Sequence, residues 1–190
     1  TYLAAGATVI ALDKQVISID HPRLRAFQLD LADEEQLETW LTTHVKLLEK
    51  VDIVLSTAGV LDAFTPALAT TYPAIKQLMQ VNVYAAVQIS LAGLPYMVAR
   101  QAGTFVFMAS IAGQVAGGGG AAYTMSKHAL VGWMKQLALD YAGQGIRVNA
   151  IAPGAINTPM NAADFAGDGA MAAQVAADTP VKRWADPQEV

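Results

Sequence analysis

The sequence predicts a single α/β domain over residues 1–190, built on a parallel sheet covered by helices. Three observations lead there. Short apolar runs alternate with amphipathic helical stretches, as in successive βαβ units. The runs are almost continuously apolar, as strands buried on both faces are. Small or acidic residues recur directly after them: Asp13, Asp30, Thr57-Ala58-Gly59, Ser110 and Pro153-Gly154. In open α/β sheets ligands bind beyond the C-terminal ends of the strands, where these residues fall.

Taken in order, Thr1–Gly6 reads as a helix end closed by Gly6. "ATVIAL" (Ala7–Leu12) and "LRAFQL" (Leu24–Leu29) read as strands, and the stretch from Asp13 to Asp30 leaves little room for a full helix between them. Asp33 caps a helix to about Leu48, with Leu37, Leu41, Val45 and Leu48 on one face. "VDIVLS" (Val51–Ser56) is a strand. A long helical region covers Ala74–Arg100, with Pro95 placed to kink it. "TFVFMAS" (Thr104–Ser110) is a strand, and a helix over Ala121–Tyr141 follows, stopped by "AGQG". "IRVNAIA" (Ile146–Ala152) is the last clear strand, ended by Pro153-Gly154, and loop and short helix complete the chain to Val190.

Composition narrows the function. The chain is 54% hydrophobic and 15% charged, which fits a packed domain and argues against disorder. Net charge is −4 and no basic run interleaves with aromatics, so nucleic acid is not an expected partner. There is no cysteine, which excludes disulfides, thiolate catalysis and zinc–sulfur sites. His21, His44 and His128 are scattered without metal-ligand spacing, so no metal site is expected. "TFVFMASIAGQVAGGGGAA" is apolar but broken by glycines, and it reads as a buried strand and loop rather than a membrane span. With no signal peptide visible, a cytoplasmic location is the expectation.

Several residues are candidates for chemistry. A carboxylate at Asp13 can accept from both hydroxyls of an adenosine ribose and would repel a 2′-phosphate. It can equally be a strand-end turn former, and Lys14 beside it could attract that phosphate. Asp30 is either a helix-start residue or a partner for an adenine amino group. Ala58-Gly59 lets a backbone approach a ligand closely, although such a turn is common. Tyr123 and Lys127 stand at i and i+4, on one helical face. A phenol with a pKa near ~10 is a poor proton shuttle at neutral pH. A nearby ammonium lowers that value and makes a usable general acid/base. The pair alone is also what any exposed helix could carry. Ser110, at a strand end, adds a hydroxyl that can orient a substrate carbonyl.

Together these pieces resemble the short-chain dehydrogenase/reductase family. The matching segments are Asp13 after a strand, "LDLAD" (Leu29–Asp33), "STAGV" (Ser56–Val60), "VNV" around Asn82, "MASIAG" around Ser110, "YTMSK" (Tyr123–Lys127) and "IRVNAIAPGAINTPM" (Ile146–Met160). The resemblance covers essentially the whole chain and rests on the order and spacing of the pieces.

The resemblance implies a Rossmann-type doubly wound parallel sheet and an NAD(P)-dependent oxidoreductase that interconverts a secondary alcohol and a ketone. It implies a catalytic tetrad of Asn82, Ser110, Tyr123 and Lys127. In it Tyr123 moves the proton, Lys127 lowers the tyrosine pKa and holds the nicotinamide ribose, Ser110 positions the carbonyl, and Asn82 holds a water linking the lysine to solvent. Cofactor contacts are implied at Asp13, Asp30, Leu31, Thr57, Ala58, Gly59, Tyr123 and Lys127, and at Pro153, Gly154, Ile156 and Thr158 around the nicotinamide. Asp13 makes NAD the preferred cofactor, with NADP the alternative. The block from "SIAGQVAGGGG" onward is similar to 3-oxoacyl-[acyl-carrier-protein] reductases, so an acyl thioester is one substrate class. A 2,3-dihydro-2,3-dihydroxybenzoate-type dihydrodiol dehydrogenase is the alternative, and an inactive dinucleotide-binding regulatory protein is the rival of another class. The pocket is expected between Ile111–Gly120 and Met160–Val181. The family usually forms tetramers through its long helices, here with Leu130, Trp133, Met134 and Leu137 as candidate contact residues.

Two departures stand out. Ser-Thr-Ala-Gly replaces the usual Asn-Asn-Ala-Gly around Thr57. The family's Thr-Gly-x-x-x-Gly-x-Gly loop is absent from these residues. The family pattern would place it, with a central strand, before Thr1, and a further strand after Val190, so a longer protein is the expectation.

Overall fold

A computed structural model describes all of residues 1–190. Five strands form: β1 (Val9–Asp13), β2 (Leu24–Gln28), β3 (Ile53–Ser56), β4 (Gly103–Met108) and β5 (Ile146–Ile151). All pair in parallel, in two pieces. β1 pairs with β2, aligning Val9 with Leu24 and Asp13 with Gln28. β3, β4 and β5 form the second piece, with Ile53 opposite Thr104 and Val106 opposite Asn149. An open cleft of about 1230 Å³ is lined by residues of both β1 and β3. Ile53 and Leu55 of β3 are exposed on it, although their sequence reads as buried strand.

The helices start where the sequence places stop-and-start chemistry. Asp33 caps α1 (Glu34–Thr43), its carboxylate accepting from the Gln36 N–H. The helix expected to reach Leu48 in one piece instead breaks at His44 and resumes as α2 (Val45–Leu48). Thr71 caps α3 (Tyr72–Met79), accepting from Ala74. α3 runs through a π-helical turn over Gln80–Tyr84 into α4 (Ala85–Arg100), so Pro95 lies inside an unbroken helix and the irregularity falls ahead of it. This continuous stretch is long and apolar enough to cross a membrane by length and composition, but Ala86, Leu94 and Met97 are buried in the protein core. α5 (Ala121–Tyr141) has the expected bounds, and α6 (Ala170–Asp178) is the last helix. Thr1–Gly6 forms turns rather than a helix end, with Gly6 left-handed at φ +93°. No helix joins β1 to β2, as the short spacing predicts.

The main core sits where α4 and α5 meet β4 and β5. Phe105 and Phe107, two apart on β4 and so on one face, are fully buried with Met97, Leu130, Leu137 and Ile146. Burying side chains of this size contributes roughly 1.5–3 kcal/mol each. Leu130 and Leu137 are therefore core residues, and Trp133 and Met134 pack against the same cluster. The apolar face of α5 packs into its own domain through these residues, with Trp133 and Met134 only partly buried. A second cluster joins Leu29, Leu37, Trp40, Leu48 and Ala85, which fastens α1 and α2 beside β2.

Candidate active site

The site forms where the ends of β3 and β4 meet the first turns of α5. All four side chains expected to act are brought there and buried: Asn82, Ser110, Tyr123 and Lys127. Helical periodicity places Tyr123 and Lys127 on one face, and the Lys127 ammonium stands 5.5 Å from the Tyr123 ring centroid. Ser110, just past β4, caps a short turn by accepting from the Ala112 N–H at 3.1 Å. The glycine run before Tyr123 has a steric reason: a Cβ on Gly119 would lie 2.4 Å from the Tyr123 ring.

The lysine is held by an acceptor that sequence reasoning missed. Its Nζ donates to the Met108 carbonyl at 2.8 Å, at the end of β4. Burial pushes the Lys127 pKa down from 10.5 to about 8, because the charged form loses hydration. The phenol is shifted the other way from the expectation. Burial raises the Tyr123 pKa most, the Ser110 hydroxyl lowers it, and the Asp62 carboxylate raises it again. Burial, the largest of these three causes, sets the direction of the shift.

Asn82 lies in the π-helical turn, a distortion that often marks functional positions. Its side-chain amide is held by protein partners. Oδ1 accepts from the Val60 N–H at 2.8 Å, and Nδ2 donates to the Val60 carbonyl and to Ser126 Oγ, both at 3.0 Å. Ser126 in turn donates to the Tyr123 carbonyl at 2.8 Å. Its signal in the sequence was only its place three residues after the tyrosine, where a hydroxyl can bond back along the helix.

The expected cofactor contacts divide in two. Asp13, Asp30, Leu31, Thr57, Ala58 and Gly59 all line the cleft between β1 and β3. One Asp13 oxygen accepts from the Gln15 N–H at 2.8 Å, as a turn former would. The side chain is nonetheless exposed, and its second oxygen has no protein partner. Asp30 likewise bonds its own loop, at Ala32. Thr57 and Ala58 are exposed. Pro153, Gly154, Ile156 and Thr158 lie off this cleft, along the segment after β5. There the Pro153 carbonyl accepts from Ile111, Ile156 bridges to Ala185, and Thr158 bonds Asn161 at 3.1 Å. On the cleft, the exposed Asp13 carboxylate and the exposed Thr57-Ala58 backbone are chemically suited to a ribose diol and a closely approaching dinucleotide. The residues present include no Thr-Gly-x-x-x-Gly-x-Gly run to cradle its phosphates.

The chain is similar in sequence and fold to known proteins. Residues 4–190 match the family model described as enoyl-(acyl carrier protein) reductase. The short-chain dehydrogenase/reductase cdmF of Talaromyces verruculosus is 34% identical over 83% of this chain, which spans 63% of that relative's length. A solved structure of 4-hydroxyisoleucine dehydrogenase, a mutant with NADH and succinate, is 30% identical with a TM-score of 0.88, covering 99% of this chain and 79% of that one. A Beutenbergia cavernae protein provisionally assigned as an NAD(P)-dependent gluconate 5-dehydrogenase, with NADP bound at low occupancy, is 35% identical. Its TM-score is 0.80, over 87% of this chain and 66% of that one.

Proposed function

Because the chain belongs to the short-chain dehydrogenase/reductase family, we propose that it carries the catalytic site of an NAD(P)-dependent oxidoreductase acting on alcohols and ketones. The observation that carries this reading is the burial of Asn82, Ser110, Tyr123 and Lys127 around one point at the strand ends. Asn82, Ser110 and Lys127 are each held in place by protein hydrogen bonds, and a binding protein without chemistry has no need of such a set beside a buried phenol.

In this reading Ser110 donates to the substrate oxygen and orients it. Tyr123 gives its phenolic proton to the developing alkoxide in reduction and takes it back in oxidation. A raised phenol pKa keeps that proton in place until the alkoxide demands it. Lys127, held by Met108, stabilises the phenolate once it forms. A bound nicotinamide supplies the hydride. Asp13 at the cleft supports NAD as the preferred partner: its carboxylate would accept from a ribose diol and its charge would oppose a 2′-phosphate. Relatives with NADH and with NADP are both known, so the preference rests on Asp13.

For substrate we propose a 3-oxoacyl thioester, supported by the sequence of the loop from Ser110 to Gly120. The tetramer usual in the family is carried over as a proposal about assembly, to be checked by light scattering. A panel of ketones, 3-oxoacyl thioesters and secondary alcohols, each scored with NADH/NAD and NADPH/NADP, tests the reading. No turnover of any of them would refute it.

A further inference from the structure

Helix α5 begins without its own cap. Its N-cap is Gly120, which has no side chain, and its first turn carries no acidic residue. The missing groups arrive from the loop after β3. Asp62 Oδ1 accepts from the Gly120 N–H at 2.8 Å, and Oδ2 accepts from the Tyr123 N–H at 2.9 Å. The Thr65 carbonyl takes the Ala121 N–H at 3.0 Å. Two turns of chain distant by 58 and 61 residues are thus locked together at the position that bears the tyrosine.

The loop is shaped for that contact. Ala63 and Phe64 are consecutive left-handed residues, at φ +51° and +57°, and neither is a glycine. Such conformations persist only where surrounding bonds hold them. The Thr65 N–H and hydroxyl both donate to the Asp62 carbonyl, at 3.1 and 2.6 Å. On the other side, a Cβ at Gly120 would lie 2.5 Å from Asp62 Oδ2 and from the Thr65 nitrogen. Glycine there is a condition of the contact.

We propose that Asp62 is a positioning residue for the reaction: its carboxylate caps α5 from another segment and so fixes where the Tyr123 phenol stands relative to Ser110. The inference rests on the functional reading above. Asp62 also acts through its charge. The groups facing the phenol are Lys127 on the same helix, the Ser110 hydroxyl after β4 and Asp62 after β3, while Leu78 and Ile75 of α3 and Ala112 supply apolar packing. An anion among them opposes ionisation of the phenol, so removing it should make the tyrosine more acidic.

The test compares Asp62→Asn, Asp62→Ala and Gly120→Ala in the complete protein. Tyr123 ionisation is followed as the absorbance difference from Tyr123→Phe, alongside kcat and cofactor affinity. Asp62→Ala should lower kcat by up to ~10²-fold, as misplacing a reacting group does, with cofactor affinity nearly unchanged. Asp62→Asn, which keeps one acceptor oxygen, should lose less. In both, the Tyr123 titration should move to lower pH. Gly120→Ala keeps the carboxylate but displaces it, and should lower kcat as well. If the Asp62 variants do not fold, Gly120→Ala decides: parental kcat there overturns the proposal. Parental kcat in Asp62→Ala, or a fallen kcat with an unmoved tyrosine titration, also overturns it. If the parent turns over no alcohol or ketone, the functional reading fails, and the titration still decides whether Asp62 governs the phenol.

Discussion

Asn82 donates to Ser126 at 3.0 Å across 44 residues of sequence, and both side chains are buried. Ser126 passes the contact on to the Tyr123 carbonyl. The Ser126 hydroxyl therefore ties the π-helical turn to α5, and the Asn82 amide joins both to the loop after β3 at Val60. Ser126→Ala should leave one N–H of the Asn82 amide without an acceptor, while the Tyr123 carbonyl keeps its bond within α5. The expected cost is ~1–3 kcal/mol, since buried groups left unpaired bear the full desolvation penalty. Urea unfolding of variant and parent would measure it, and an unchanged midpoint would refute the assignment.

Tyr123→Phe removes one oxygen from a packed ring. Fold and cofactor affinity should survive, and kcat should fall by ~10²- to 10⁴-fold, the usual worth of general acid/base help. Steady-state kinetics with fluorescence titration of the cofactor separates the two. A near-parental kcat would contradict the role given to the phenol.

Lys127 makes stability depend on pH in a defined direction. Its pKa is about 8 in the folded protein against 10.5 as the ordinary value. Between those values the unfolded chain binds more protons, so this group makes the protein more stable as pH rises through the window. The burden of burying the charge is fully present below pH 8. Lys127→Met should lack this trend, so its stability relative to the parent should decline by about 3 kcal/mol at most between pH 8 and 10.5. Thermal or urea unfolding across that range checks it, and parallel pH profiles would count against a buried ammonium.

Cofactor choice should follow Asp13. The parent should bind NADH more tightly than NADPH, and Asp13→Ala should narrow the gap by relieving the charge that faces a 2′-phosphate. Binding titrations with both nucleotides give the ratio. A parent that prefers NADPH would show that Lys14, also on the cleft, outweighs Asp13.

The strands, the capped helix at Asp33 and the bounds of α5 were legible because each is written locally, in apolar runs, caps and turn residues. The break at His44 was not. Leu37, Leu41, Val45 and Leu48 keep one continuous apolar stripe across it, while the His44 ring stacks on Trp40 at 4.8 Å. Pro95 drew attention as a kink and is accommodated without one, whereas the π-helical turn at Gln80–Tyr84 carries no breaker residue at all.

The identities of Asn82, Ser110, Tyr123 and Lys127, and the helical spacing that puts tyrosine and lysine on one face, were set by the sequence alone. Spacing along a helix is a local property and needs no partner. Three things were decided only in the folded chain: the Met108 carbonyl under Lys127, the Ser126 link to Asn82, and the Asp62 cap on α5. Each joins segments that only the packing of strands and helices brings together. The direction of the tyrosine shift was decided there too. A neighbouring ammonium can be counted from sequence, but desolvation depends on what surrounds the ring, and at Tyr123 burial outweighs the Ser110 hydrogen bond while the Asp62 charge adds to it.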